Sequence, residues 1–445
     1  MDVSRMPDAS AGSVPAPSFG EALRFWFKLG WISFGGPAGQ IAIMQTELVD
    51  RRRWVGQRLF LSGLNFCTLL PGPEAMQLAV YIGWRLHGLK GGIVAGTFFV
   101  LPGAAIMLLL SWLAAAYGDV PLVASVFYGL KPVVIAIIAG AIWRIGNRAL
   151  KGWPAVAIAA AAFVAIYFAG IDFPWIVLAA GLIGWAAGMQ GSTAFAGGSH
   201  GHGKTATESP SAVDGIAVAP VERPLFRLAG MSAIFIALLI VPIALVLLVF
   251  GTKPFADVAN LFTKAAFVTF GGAYAVLPYV AEEAVNTYGW LTADEMLNGL
   301  ALAETRPGPL ILVLQYVGFF AGWKIPGALA PGLAATIAAG LATYCTFLPS
   351  FWFVLAAAPW IHGIHENPKL SSALGAITAA VVGVILNLGV FLAGGVIIPG
   401  GQPDLFAIVL AGAAFAVMIQ WKPEIHWLVA GGAAAGLLYR VVLGG

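Results

Sequence analysis

Apolar residues run along this chain in long, nearly unbroken stretches instead of at helical or strand spacing. Residues 91–117, 120–142, 155–170, 231–250 and 370–392 are almost wholly hydrophobic. A helix of about 20 such residues is long enough to cross the hydrocarbon core of a bilayer. Polar positions concentrate between the stretches, and Trp112, Trp143, Trp153, Trp175, Trp323, Trp421 and Trp427 fall near their ends, as in interfacial belts. The pattern predicts an all-α, polytopic membrane protein. Composition agrees: the 445 residues are 60% hydrophobic and only 10% charged, against about 25% charged in ordinary soluble domains.

The pattern also repeats. "FWFKLGWISFGG" in the first half matches "NLFTKAAFVTFGG" in the second at an offset of 236 residues, Gly35 falling on Gly271. The same offset pairs Lys28 with Lys264, Trp54 with Trp290, Leu64 with Leu300, and Pro71-Gly72-Pro73 with Pro307-Gly308-Pro309. Further on, "IAGAIWRIG" resembles "VVGVILNLG", and "PWIVLAAGLIG" resembles "HWLVAGGAAAG". An ordered set of matches implies two homologous halves. The expected organisation is a polar tail (1–19), a first repeat (20–188), a flexible Gly/Ser/Pro-rich linker (189–224) and a second repeat (225–445). The polar tail lacks the charged and apolar regions of a cleaved signal peptide.

The linker contains "GSHGHGKT", which satisfies the P-loop pattern. That motif needs a strand before it and a helix after it to aim amides at phosphates, and the flanks "STAFAG" and "ATESPSAV" supply neither. His200 and His202 belong with a solvated linker. Cys67 and Cys345 lie in apolar segments and are expected as buried thiols.

Charge separates the halves. After the first FGG comes "ELVDRRRWVGQR", with Arg51, Arg52, Arg53 and Arg58; its counterpart "AEEAVNTYGWLTADE" has Glu282, Glu283, Asp294 and Glu295 and no cation. Short cationic loops stay cytoplasmic, so equivalent loops are expected on opposite faces. That is the arrangement of inverted-topology repeats in secondary transporters.

The FGG and PGP motifs interrupt helices at matching places in both halves. Backbone groups freed inside a membrane are tolerated only against protein or a cavity. A helix that restarts there turns its N-terminal amides and dipole toward the cavity, which favours anions. The candidate substrate site is therefore Gly35 and Gly36, Pro71, Gly72 and Pro73, Gly271 and Gly272, and Pro307, Gly308 and Pro309. Around these lie Lys28, Asn65, Thr68, Gln77, Lys264, Arg306 and Gln315, with Glu74 and Glu304 as candidate coupling or gating carboxylates. Alternatives stay open: Arg306 as an oxyanion ligand or a structural partner of Glu304, the lysines as ligands or snorkelling side chains, Glu74 as a proton carrier or a buried acid. No HExxH, GxSxG or CxxC motif is present, and the six histidines are scattered. An enzyme is not expected, nor is a cofactor, a metal or a nucleic-acid partner.

"FGGPAGQIAIMQTELVDRRRW", "LNFCTLLPGPEAMQLAVYIGW", "GTFFVLPG", "TFGGAYAVLPYV" and "ETRPGPL" resemble the two-domain chromate transporter (CHR) family over nearly the whole chain outside tail and linker. The core motifs show no departure from the family pattern; the second half has Ala273 in place of the proline after its FGG, as is common in the family's second domains. The resemblance implies a multi-pass inner-membrane exporter of chromate, with sulfate as its look-alike, driven by the electrochemical gradient. A homodimer is compatible with it. A related oxyanion transporter, an anion channel, and a membrane-embedded scaffold or enzyme subunit are the competing readings.

Overall fold

A computed structural model describes residues 15–191, 195, 224–358, 368–421 and 423–442. The P-loop-like stretch, with His200 and His202, and most of the linker lie outside the described residues. Within them the chain is helical, without strands.

The first helix, α1 (Phe19–Ile32), starts at a capping box in which Ser18 and Glu21 bond reciprocally, at 3.3 and 2.8 Å. It stops at Ser33, and after the FGG break the chain resumes as α2 (Gly36–Gln45), which passes into a π turn (Thr46–Arg51). Arg52 then lies over the rings of Phe25 and Trp54, so the end of α2 has come back beside the start of α1. The break is the tip of a helical hairpin. A second hairpin follows: α3 (Gln57–Thr68), the PGP tip, and the first arm of α4 (Glu74–Tyr117). Its arms touch where Tyr81 lies flat against Gly63, where an added Cβ would come within 2.6 Å of the ring. At His87 and Gly88 α4 leaves helical geometry and doubles back, so that Gly83 meets Gly91. The long arm of α4, then α5 (Pro121–Ala149), α6 (Trp153–Ala169) and α7 (Phe173–Met189), complete the half.

The second half repeats this order. α9 (Phe255–Val268) and α10 (Ala273–Glu282) form the FGG hairpin, and α11 (Ala293–Glu304) and α12 (Val313–Lys324) the PGP hairpin. They are followed by α13 (Pro331–Ala357), α14 (Pro368–Ile397), α15 (Leu405–Gln420) and α16 (Ile425–Leu437). Even the close packing is reproduced, since Tyr316 lies against Gly299 as Tyr81 does against Gly63.

The halves are inverted. α5 and α14 occupy equivalent places and cross antiparallel: Gly146 faces Val382, while Ile138 and Ile142 face Gly389. Repeats related by an axis along the membrane normal would run parallel there. One helix, α8 (Pro224–Phe250), has no counterpart among the described residues of the first half. It accounts for the inversion. Among the described residues each half has two hairpins that return to their starting face and four further helices, so it ends on the face where it began. One extra crossing is needed to begin the second half on the other face.

Among the described residues five helices are long and apolar enough to span a membrane: α4, α5, α8, α13 and α14. Small residues bring helices close, as where Gly129 of α5 meets Gly432 and Gly436 of α16. This is a multi-pass membrane protein.

Candidate functional site

The four breaks meet in one place, and they meet reciprocally. Gly72 of the first PGP donates its amide to the carbonyl of Thr269, the residue before the second FGG, at 2.8 Å. Gly308 of the second PGP donates to Ser33, the residue before the first FGG, also at 2.8 Å. Both glycines have positive φ, +124° and +94°, which a side chain would strain. Each PGP also packs on the opposite half. Gly72 approaches Ser350 of α13, and Gly308 approaches Gly103 at the middle of the long arm of α4.

The two PGP segments are buried, and their freed carbonyls are capped by different side chains. In the first half Gln77 donates Nε2 to the Pro71 carbonyl at 2.6 Å. In the second, Arg306, only 4% exposed, donates Nη1 to Pro307 and Nη2 to Pro309, both at 3.0 Å. Gln77 and Arg306 thus do one job from opposite sides of the break, one neutral and one charged. Gln40 adds a further tie between the halves, donating to the Gly308 carbonyl at 2.8 Å. Gln315 donates to Ala104 at 2.9 Å, and the Oε1 atoms of Gln77 and Gln315 are buried without a partner.

The FGG segments are different. Nothing lies within 4 Å of a Cβ built on Gly36, Gly271 or Gly272, and Gly35 meets only its own helix. Helices α2 and α10 start there without any side-chain cap. Gly35 and Gly271 are exposed and Gly36 and Gly272 half-buried, so two helix N-termini without side-chain caps lie at accessible backbone, the electrostatic setting that attracts an anion.

Not every candidate converges. Glu304 does: it accepts the Tyr274 hydroxyl at 2.5 Å, which ties the second FGG to the second PGP. Glu74, half-buried, opens α4 directly after the first PGP. Asn65 and Thr68 sit on α3 and are half-buried, with the Thr68 hydroxyl on the Asn65 carbonyl at 2.7 Å. Lys28 and Lys264 lie on exposed faces of α1 and α9, more than a turn before the breaks.

Four residues near the breaks are absent from the sequence reading. Gln40 and Tyr274 were legible only as neighbours of FGG. Arg144 and Arg148 stand one turn apart on α5; the positive charge of Arg144 acts on Glu304 and Tyr274, and that of Arg148 on Glu74. Their signal was an i, i+4 pair of cations in an otherwise apolar helix.

Away from the breaks, a cavity of about 480 Å³ opens between the halves. It holds two ion pairs, Lys131–Asp294 and Lys324–Glu295, each at 2.6 Å, the first joining α5 to α11. At the other end, Glu47 takes Arg51 at 2.8 Å and Arg52 at 3.3 Å. Partial burial opposes its ionisation, but these two hydrogen bonds prevail and hold its carboxyl below the usual range.

Comparison with known proteins places this architecture. The chromate transporter family profile matches residues 20–185 and 256–437, one repeat each. The chain is 32% identical to the chromate transport protein of Pseudomonas aeruginosa over 98% of its own length and 96% of that protein's. It is 26% identical to the chromate transport protein of Cupriavidus metallidurans, over 98% of each chain. A probable chromate transport protein of Synechococcus elongatus is 26% identical over 92% of this chain and 91% of its own. No solved structure matches significantly.

Proposed function

The chain belongs to the chromate transporter family, and from that premise we propose that it exports chromate, or a closely similar tetrahedral oxyanion, from the cytoplasm across the inner membrane. The observation that carries the reading is the meeting of four helix breaks, two of which start uncapped helices in open space. A tetrahedral dianion wants several N–H donors and one or two cations. Uncapped amides of α2 and α10 would supply the donors, with Gly35, Gly36, Gly271 and Gly272 letting the anion approach the backbone.

The PGP segments play a supporting part in this reading. Pro71, Gly72 and Pro73, with Gln77, and Pro307, Gly308 and Pro309, with Arg306, form the joint on which the hairpins of the two halves move against each other. Arg306 contributes a fixed positive charge behind the site while its donors hold carbonyl oxygens. Lys28, Lys264 and Asn65 would line the approach, and Glu74 and Glu304 would gate or couple.

Direction follows from charge. Arg51, Arg52, Arg53 and Arg58 mark the cytoplasmic mouth, and Glu282, Glu283, Asp294 and Glu295 the opposite one. A negative-inside potential drives a dianion outward with about 4.6 kcal/mol per 100 mV, enough for a gradient of roughly 2,000-fold without any coupled ion. Cells with this activity would resist chromate.

The test is oxyanion flux in proteoliposomes holding the full chain, with voltage imposed. Saturable chromate flux that grows with the potential and is altered by sulfate supports the reading. Flux that never saturates would make the protein an anion channel, and no flux of either anion would overturn the transport reading.

A further inference from the structure

The cavity of about 480 Å³ between the halves is lined by three cations, Lys131, Lys324 and Arg440, and by three carboxylates, Asp119, Asp294 and Glu295. Four of these are paired, Lys131 with Asp294 and Lys324 with Glu295, each at 2.6 Å. The two pairs are not held equally. Glu295 also accepts the Thr292 amide at 2.7 Å in the capping box that starts α11, so Lys324 bonds to a carboxylate fixed by the fold. The Asp294 side chain is exposed, and Lys131 is its one partner among the described residues. Lys131 can exchange that carboxylate for another anion.

Arg440 is not paired. Among the described residues its guanidinium makes no hydrogen bond or ion pair, and it lies over the Tyr128 ring, 4.4 Å from the centroid. That ring is itself fixed: its hydroxyl donates to Asp404 at 2.7 Å, and it stacks on Phe406 and Tyr439 at 5.2 and 5.9 Å. Tyr128 and Lys131 are three residues apart on α5 and share a face. A positioned guanidinium without a protein acceptor and an ammonium that can be released therefore meet in one cavity. Asn298 adds a buried side-chain oxygen without a partner, and its amide presents an acceptor or, turned over, two N–H donors. The cavity also reaches inward. On α12 it is lined by Lys324, Phe320 and Tyr316, two turns or about 12 Å toward the second PGP.

Resting on the oxyanion reading above for the identity of the ligand, we propose that this cavity is a second oxyanion site, an outer station where Arg440 and Lys131 hold the anion after it leaves the breaks. The anion takes the place of Asp294 at Lys131, and two of its oxygens face the planar guanidinium. The lining charges sum to zero, so binding is a local exchange and stays weak. Weak binding is what release on the far side requires. Asp119, exposed and without an ion pair among the described residues, opposes a long stay.

The experiment uses the purified full-length protein carrying Ala124→Cys, one turn before Tyr128 in the cavity wall. The native Cys67 and Cys345 are buried. The rate of modification by a charged methanethiosulfonate is read against sulfate concentration, with chloride at equal ionic strength as the control for screening. Sulfate should slow the reaction saturably. Adding Arg440→Gln should raise the half-protecting sulfate concentration roughly ten- to hundredfold, for the loss of one charge-assisted contact, and Arg440→Lys should fall between. Asp294→Asn should lower it, because Lys131 then has no carboxylate to give up. Merely structural roles would not move the constant in opposite directions. No protection by sulfate beyond that of chloride, or equal protection with and without Arg440→Gln, would overturn the proposal. Oxyanion flux in proteoliposomes without such protection would overturn this site alone; protection without flux would leave the site standing and overturn the transport reading.

Discussion

The amide of Gly72 donates to the carbonyl of Thr269 at 2.8 Å, and 236 residues along the chain Gly308 and Ser33 form its mirror image at the same distance. Each half thus completes the broken backbone of the other. Buried backbone groups must find partners, and here the PGP glycine amide of each half finds its partner only in the other. The two repeats have to fold together.

Gly72→Ala and Gly308→Ala should both destabilise the protein, by about 1–3 kcal/mol for a residue forced into a sparsely populated backbone region. Gly72→Ala should be the worse, because its Cβ would fall 2.4 Å from the Ser350 hydroxyl, whereas Gly308 has 3.4 Å to Gly103. Thermal unfolding in detergent measures the order, with Gly20→Ala, which meets open space, as the control.

Arg306→Ala should lower stability as well as transport. Of the two carbonyls that Arg306 serves, Pro307 and Pro309, it leaves Pro307 without a donor inside a buried joint while Pro309 keeps the Leu312 amide at 3.0 Å, at about 1–3 kcal/mol for the unsatisfied group. Arg306→Lys can reach only one of them and should be intermediate. Membrane yield and melting temperature, read beside flux, check this; a fully stable alanine variant would assign Arg306 to substrate alone.

Labelling should prove the inversion. A cysteine at Arg52 should react only from the cytoplasmic face and one at Asn286 only from the other. The native Cys67 and Cys345 are buried and leave a low background. Labelling of both sites from one face would contradict the inverted arrangement.

At the acidic mouth, Asp294→Asn should change stability by less than about 1 kcal/mol, since its side chain is 58% exposed and such pairs contribute little. Closing the same gap covalently should matter more. A Lys131→Cys/Asp294→Cys disulfide joins α5 to α11, and it should halt flux until a reductant is added. Unchanged flux in the crosslinked protein would show that this mouth need not open.

Glu74→Gln should alter the pH profile of flux more than the half-saturating oxyanion concentration. The carboxyl opens α4 directly after the packed PGP break, whereas the accessible helix N-termini of α2 and α10 follow the FGG breaks. A wild-type pH profile in the variant would leave Glu74 a structural role only.

Much of this architecture lay in the sequence. Length and apolarity of the stretches dictate helices in a membrane, because lipid offers backbone groups no partner. The repeat offset located both pairs of breaks, and α1 and α3 differ from α9 and α11 by 236 residues at both ends. The charge of equivalent loops indicated inversion. What only the tertiary structure decided is which break meets which, and which side chains serve them. FGG and PGP look alike in sequence as helix interruptions, yet one faces open space and the other is packed. Gln77 and Arg306 share a role from positions that no offset relates, since one reaches its carbonyl from after the break and the other from before it. Lys131 pairs with Asp294 only because α5 crosses to the second half. Local pattern specifies helices and their ends, but the pairing of freed amides, carbonyls and charges between distant segments is fixed only when the halves pack.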